Sequence, residues 1–259
     1  MGTNYIAPIW RMPENANKDK LSNYSLEFNG QTNGTHIQVD DFTSLSGKSN
    51  FSISVWLKAS AVPAVGSGTT FQGNILNLTT SGVNSSTINV VIFRTSTSPN
   101  VYRLDVEVGS IAFRANISDP TTDWNNFIIA YNSNEPAAID RCKVYQNGTQ
   151  VTNTLAGNVQ PVATADTLSI GLKHTKTQWF DHFFGSMSQL AIFDYTLTDG
   201  TNGTVDQISY LNGLNNPMAI TGGKPIAYYP LGDNSNPNAI AGYPNISVGA
   251  DSVFNFNGS

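Results

Sequence analysis

The stretch F-S-I-S-V-W-L-K, Phe51 to Lys58, decides the class of fold. Phe51, Ile53, Val55 and Leu57 share one face of an extended chain, and Ser52, Ser54, Trp56 and Lys58 share the other. A period of two belongs to a β-strand, whose successive side chains point to opposite faces of a sheet. The pattern recurs on either side. Tyr102, Leu104, Val106 and Val108 alternate with Arg103, Asp105 and Glu107, which predicts a half-exposed antiparallel strand with its charges on a solvated face. Ile88 to Phe93 is more continuously apolar and fits a strand covered on both faces. Phe127–Tyr131, Lys143–Gln146, Leu168–Leu172 and Ser186–Asp194 read as further strands. Asn147-Gly148, between K-V-Y-Q and T-Q-V, predicts a hairpin, because a type I′ turn needs positive φ at both central residues. Thr204, with Gln207 three residues on, has capping-box spacing and predicts one short helix over 205–212, ended by Gly213. Many short strands with one short helix predict an all-β, antiparallel two-sheet sandwich or jelly roll.

Composition narrows the partners. Charged residues are only 12% of the 259, against about 25% in an average domain. The polar surface must therefore come from Asn, Ser, Thr and Gly. The net charge is -5 and no basic patch exceeds a pair, so no nucleic-acid partner is expected. No apolar run approaches a membrane span, and Met1-Gly-Thr-Asn does not open a signal peptide. Ile6 speaks against N-myristoylation. The Asn-X-Ser/Thr triplets, from Asn23 to Asn245, follow from the Asn- and Thr-rich composition rather than marking glycan acceptors. The single cysteine, Cys142, permits no intrachain disulfide. Arg141 and Lys143 beside it could lower a thiol pKa, but a small buried strand residue is the simpler expectation.

Several phrases, in order, resemble the laminin-G-like, concanavalin A-like jelly-roll superfamily. They are S-L-E-F-N-G (25–30), H-I-Q-V (36–39), F-S-I-S-V-W-L-K (51–58), W-N-N-F-I-I-A-Y (124–131), K-V-Y-Q-N-G-T-Q-V (143–151), L-S-I-G (168–171) and F-F-G-S-M-S-Q-L-A-I-F-D-Y-T-L-T (183–198). The resemblance covers about residues 24–214 and implies that fold. In the family, a segment like A-Y-Y-P-L-G-D usually precedes the S-L-E-F-N-G strand. Here it stands at 227–233 and leads to V-F-N-F-N-G-S (253–259). The expected organisation is an N-terminal arm over 1–22, broken by Pro8 and Pro13, and one jelly-roll domain over 23–259. Residues 224–259 are expected to supply closing strands, to their own domain or to a neighbour's. The phrase W-R-M-P-E-N-A-N-K-D-K (10–20) also resembles the starts of tailed-phage structural proteins that carry this domain.

Some members of the superfamily hydrolyse glycosides with alternating carboxylates, E-x-D-x-x-E, that face one groove. Asp105 and Glu107 lie on one face, but the third acid is missing and Gly109 stands at the next position of that face. A solvated sheet face is the simpler reading, and no catalytic activity is expected. The histidines His36, His174 and His182 show no metal-type spacing, and no G-x-S-x-G elbow is present. Many relatives hold one calcium ion in rim loops. The oxygen-rich loops here are Asp40-Asp41, 119–123 and 194–199, and none has a defensible ligand spacing. The family's F-D-G-x-D-D is F-N-G-Q-T-N-G in this chain. No cofactor is therefore assigned, with a structural calcium left open. The stretch W-F-D-H-F-F (179–184) offers Trp179 to stack on a sugar, with Asp181 and His182 to bond its hydroxyls. The competing reading puts Phe183 and Phe184 in the core and Trp179 in a loop.

The resemblance thus implies a non-enzymatic virion protein, either a capsid decoration, a fibre or a tail accessory. Its lectin-like jelly roll would serve assembly or host attachment. The expected partners are other virion proteins, further copies of itself and cell-surface glycans. The alternative is a stand-alone carbohydrate-binding lectin module, and a glycoside hydrolase comes third.

Overall fold

The computed structural model describes residues 25–30, 36–62, 73–80, 86–97, 99–109, 111–156, 161–175, 178–180, 182–200, 203–209 and 217–231. The expected arm over 1–22 lies outside them, as do 232–259 of the C-terminal segment. Among the described residues no helix is long and apolar enough to cross a membrane.

Two antiparallel sheets face each other. In the first, the order is β1 (Leu26–Asn29), β15 (Phe184–Phe193), β3 (Asn50–Ala59), β8 (Asn125–Asn132), β9 (Cys142–Gln146) and β10 (Thr149–Val151). A further strand, β16 (Ala227–Tyr229), also pairs with β15. The second sheet runs β11 (Asn153–Ala156), β7 (Ile111–Ile117), β6 (Asn100–Val108), β5 (Ser86–Thr97), β4 (Gly73–Thr79), β12 (Thr167–Ile170) and β2 (Ile37–Val39). A small ribbon, β13 (Lys173–Thr175) with β14 (Gln178–Phe180), pairs with neither, though β13 lies against β4.

The alternation of β3 does what the sequence predicts. Phe51, Ile53, Val55 and Leu57 enter the core between the sheets, where they meet Leu104, Val106 and Phe113 of the second sheet. Ser52 and Ser54 point the other way and are nonetheless buried, because a third layer covers that face. Helix α1 (Thr204–Ser209) brings Val205 and Ile208 against Ile128, Tyr145, Phe193 and Tyr228 there. Asn147 and Gly148 take φ of 52° and 80°, the positive pair a type I′ turn requires.

The helix cap differs from the predicted box. Thr204 Oγ1 accepts from Thr198 N at 2.8 Å. Gln207 Nε2 donates to Thr221 Oγ1 at 2.8 Å, and its Oε1 accepts from Thr221 N at 3.0 Å. Both side chains tie the helix to the loops that flank it. A single short helix has too little internal bonding to stand without such anchors.

Cys142 is fully buried, and that burial pushes its thiol pKa up rather than down. Asn77, the first residue of an Asn-Leu-Thr triplet, lies buried within β4.

Strand β4 carries the least legible feature of the second sheet. Its partners on β5 run Asn74↔Val91, Leu76↔Val90 and Asn77↔Asn89, with a bulge between Asn74 and Leu76. The extra residue resets the alternation. Asn74 and Asn77, three apart in sequence, therefore both lie with Asn89 and Val91 on the sheet's outer face, while Ile75, Leu76 and Leu78 go to the core.

Candidate functional site

The bulge builds a polar row across the second sheet. In register the row reads Gln38, Ser169, Asn77, Asn89, Glu107 and Ala112, from β2 to β7. Asn74, Val91, Asp105 and Arg114 lie beside it in the next register row. Asn74 Nδ2 donates to Asn89 Oδ1, and Asn89 Nδ2 passes the chain on to Glu107 at 2.9 Å. Asn74, Asn89 and Ser169 are all buried. Among the described residues, Asn74 Oδ1 and Ser169 Oγ nevertheless have no hydrogen-bond partner. A buried polar atom left unpaired costs about 1–3 kcal/mol, so fold stability alone does not favour these residues.

Towards β6 and β7 the face opens. Glu107 and Arg103 are partly exposed and Arg114 is exposed. Arg103 grips Asp105 through two bonds, Nε to Oδ1 at 2.5 Å and Nη2 to Oδ2 at 2.8 Å. Arg114 stands 3.7 Å from Asp105 Oδ2, and the guanidinium of Arg103 lies 5.5 Å over the ring of Phe93. Asp105 is only 4% exposed, which corrects the expectation of an ordinary surface charge. Burial raises its pKa, and the bonds and charges of Arg103 and Arg114 pull the other way without cancelling that. A raised carboxyl pKa suits a general acid, but both oxygens here are held by Arg103. Asp105 therefore orients the guanidinium pair.

The residues chosen from W-F-D-H-F-F are described only in part. Trp179 lies on β14 opposite His174. Asp181 lies outside the described residues. His182 is buried, 1% exposed, and neither ring nitrogen has a hydrogen-bond partner among the described residues. Burial, and then the charge of His36, hold its pKa below the ordinary histidine value. Phe183 is buried and packs edge-on against Phe28, whereas Phe184 is exposed.

The acidic rim loops are also engaged. Asp119 accepts from Thr121 N at 2.9 Å and from its hydroxyl at 2.6 Å. Lys48 lies 3.0 Å from Asp194, and Tyr145 donates to Asp199 at 3.1 Å. Among the described residues no three of His, Cys, Asp and Glu gather as a metal site would need. The donors present in the Asp40-Asp41 loop do not form such a set either: Asp40 accepts from Gln38 Nε2 at 2.7 Å.

Sequence reasoning found Asp105 and Glu107 but missed Arg114, Asn74 and Asn89. Arg114 sits on β7, whose I-A-F-R-A-N-I alternation carried the signal. Asn74 carried none, since a bulge leaves no mark in a two-residue period.

The two-sheet jelly roll defines the class of fold, and the polar row marks one of its outer faces. The match to a family model is specific: residues 30–201 fit the concanavalin A-like lectin/glucanases superfamily, in its laminin-G form, and the chain belongs to that family. Among solved structures, a heptameric SAP-like pentraxin from Limulus polyphemus is similar at 17% identity, with a TM-score of 0.53 over 73% of this chain and 82% of that one. A protein of Bacteroides ovatus assigned to carbohydrate binding is similar at 16% identity and a TM-score of 0.51, over 83% of this chain and 53% of its own. At such identities the likeness shows the fold. No curated protein sequence matches the chain.

Proposed function

We propose that this jelly roll binds a glycan on the outer face of its second sheet and does not cleave it. The observation that carries the proposal is the charged quartet Arg103, Asp105, Glu107 and Arg114, in which buried Asp105 holds the two guanidinium groups at the surface, backed by buried carboxamides. Its formal charges cancel. Guanidinium N–H groups donate to sugar oxygens, and the free lone pairs of Glu107 accept from sugar hydroxyls. A neutral, hydroxyl-rich glycan is the ligand class that this set matches. Against hydrolysis stands the bidentate clamp on Asp105, which leaves no second carboxyl poised opposite Glu107. Family membership and the Bacteroides neighbour support binding as the coarse function.

The test is a glycan array probed with the full chain and with Arg114→Ala. Retention of a neutral glycan by the wild type and at least roughly tenfold weaker retention by the variant are expected, since one lost charged hydrogen bond is worth that much. No retained glycan, or retention indifferent to Arg114, would defeat the proposal. Turnover of a polysaccharide that Glu107→Gln abolishes would establish a hydrolase instead.

The setting of this binding, on the same proposal, is a tailed-phage particle, where a lectin-like domain serves host attachment or assembly. Residues 10–20 and the sparse charge support that reading. The heptameric pentraxin neighbour supports a homo-oligomer, in which weak sites would add by multivalency. Mass spectrometry of purified particles tests it. A protein found free in infected cells and missing from particles would remove the virion setting while leaving the glycan site intact.

A further inference from the structure

Strand β15 is flanked on one side by β3. On its other side two strands lie end to end. β16 pairs Tyr229↔Leu190, Tyr228↔Ala191 and Ala227↔Ile192, while β1 pairs Leu26↔Met187 and continues to Asn29↔Phe184. Pro230 O then accepts from Gln189 N at 2.9 Å. Both strands run in the same direction. From Tyr229 to Leu26 is three residues of β15, roughly 10 Å at strand rise, and Pro230 with Leu231 covers that step. The last described residue thus ends at the mouth of the groove that β1 fills.

That groove has a specific shape. Leu26 and Phe28 point inward and are buried, while Glu27 and Asn29 are exposed. The Phe28 ring lies over Gly171, where any Cβ would overlap it, and meets Phe183 edge-on with centroids 5.9 Å apart. Gly30 has φ of 66°, and a Cβ there would come within 2.7 Å of Phe184 Cβ. The groove therefore accepts apolar-x-Phe-x-Gly, with polar residues at the outward positions. The same pattern occurs once more in the chain, beyond β16: Phe254-Asn255-Phe256-Asn257-Gly258. Its Phe-Asn-Gly is identical to residues 28–30, and it places Phe254 where Leu26 stands.

The geometry points to a second occupant of the β1 groove: residues 254–258 of the same chain compete with β1 for β15. The 22 residues 232–253 connect Leu231 to this phrase, and the entropic cost of closing such a loop rises only slowly with its length. When the C-terminal phrase is seated, β1 and everything before it are released. One chain thus holds two strands for one place, and the released one is available for strand addition to another partner.

Disulfide trapping tests the exchange in the full chain. Glu27 stands opposite Ser186, so Asn255 in the same groove would too. Facing Cα atoms in antiparallel strands lie about 4.5–5.5 Å apart, within disulfide range. Cys142 is buried and does not compete. Glu27→Cys/Ser186→Cys and Asn255→Cys/Ser186→Cys are each incubated, oxidised, and mapped by non-reducing electrophoresis and mass spectrometry. Both are expected to link within one chain. Adding Phe28→Ala favours the Asn255 link and adding Phe256→Ala disfavours it, each changing the ratio roughly a hundredfold or more. Complete linkage through Glu27→Cys with none through Asn255→Cys would overturn the second occupant. Linkage of Asn255→Cys only between chains would overturn its assignment to the same chain.

Discussion

The outer faces of the two sheets are both partly buried, yet they treat polar groups in opposite ways. Behind the first sheet, Asn126 Nδ2 donates to Ser54 Oγ at 3.3 Å, and Asn126 Oδ1 accepts from Ser209 Oγ at 3.0 Å. Ser52 Oγ donates to Tyr195 O and accepts from Leu197 N, both at 2.9 Å. These groups answer one another, and an apolar layer seals them. On the second sheet the network from Asn74 through Asn89 to Glu107 is open-ended, with Asn74 Oδ1 and Ser169 Oγ unmatched. A closed buried network specifies a fold. The open one leads to the exposed charges on which the proposed glycan site rests.

The largest effect that would sharpen this contrast lies in the sealed layer. Phe193 is fully buried between Tyr195 and the helix. Phe193→Ala should cost about 3–5 kcal/mol, a drop of roughly 10 °C in Tm, with glycan retention unchanged below the transition. Asn126→Ala comes next, at about 1–3 kcal/mol by denaturant titration, because Ser54 and Ser209 each lose a buried partner. Ser169→Ala should leave stability unchanged or raise it slightly, since the hydroxyl has no partner to lose. Should Ser169→Ala cost as much as Asn126→Ala, the two faces would be alike and the contrast would fail.

The same contrast marks how far the sequence could be read. The first sheet was legible where a strand keeps its period, as β3 does, although β15 beside it carries a bulge between Ser188 and Ala191. Phe51 to Lys58 gave both faces, and Asn147-Gly148 gave a hairpin whose positive φ values are there. The helix was legible at its start, its expected end at Gly213 lying outside the described residues, but not in its cap, since Thr204 and Gln207 are taken by flanking loops that a local rule does not see. The candidate site was half legible. Asp105 and Glu107 alternate visibly, but the burial of Asp105 depends on strands paired across the sheet. Asn74 reached the same face only through the bulge, whose cause is not local to any pattern.

The smallest effect concerns His182, at the end of the second sheet beside Gly171, where Phe183 N donates to Gly171 O at 2.8 Å. Its pKa is lowered by burial and then by the charge of His36. In the unfolded chain the imidazole takes up a proton at its ordinary value of about 6.5, and in the folded chain only at lower pH. Between those two values the unfolded state binds more protons, so stability is full above the ordinary value and falls as pH drops towards the folded one. Melting curves from about pH 7.5 to about pH 5 should therefore show Tm decline by a few degrees beyond what the carboxylates account for. His182→Leu removes that proton and the two unmatched ring nitrogens, so its Tm should decline less over the same range. Parallel declines in wild type and variant would mean that His182 titrates normally in the fold. Its ring would then have to reach water at the rim, as the sugar-binding role expected of it with Trp179 and Asp181 requires.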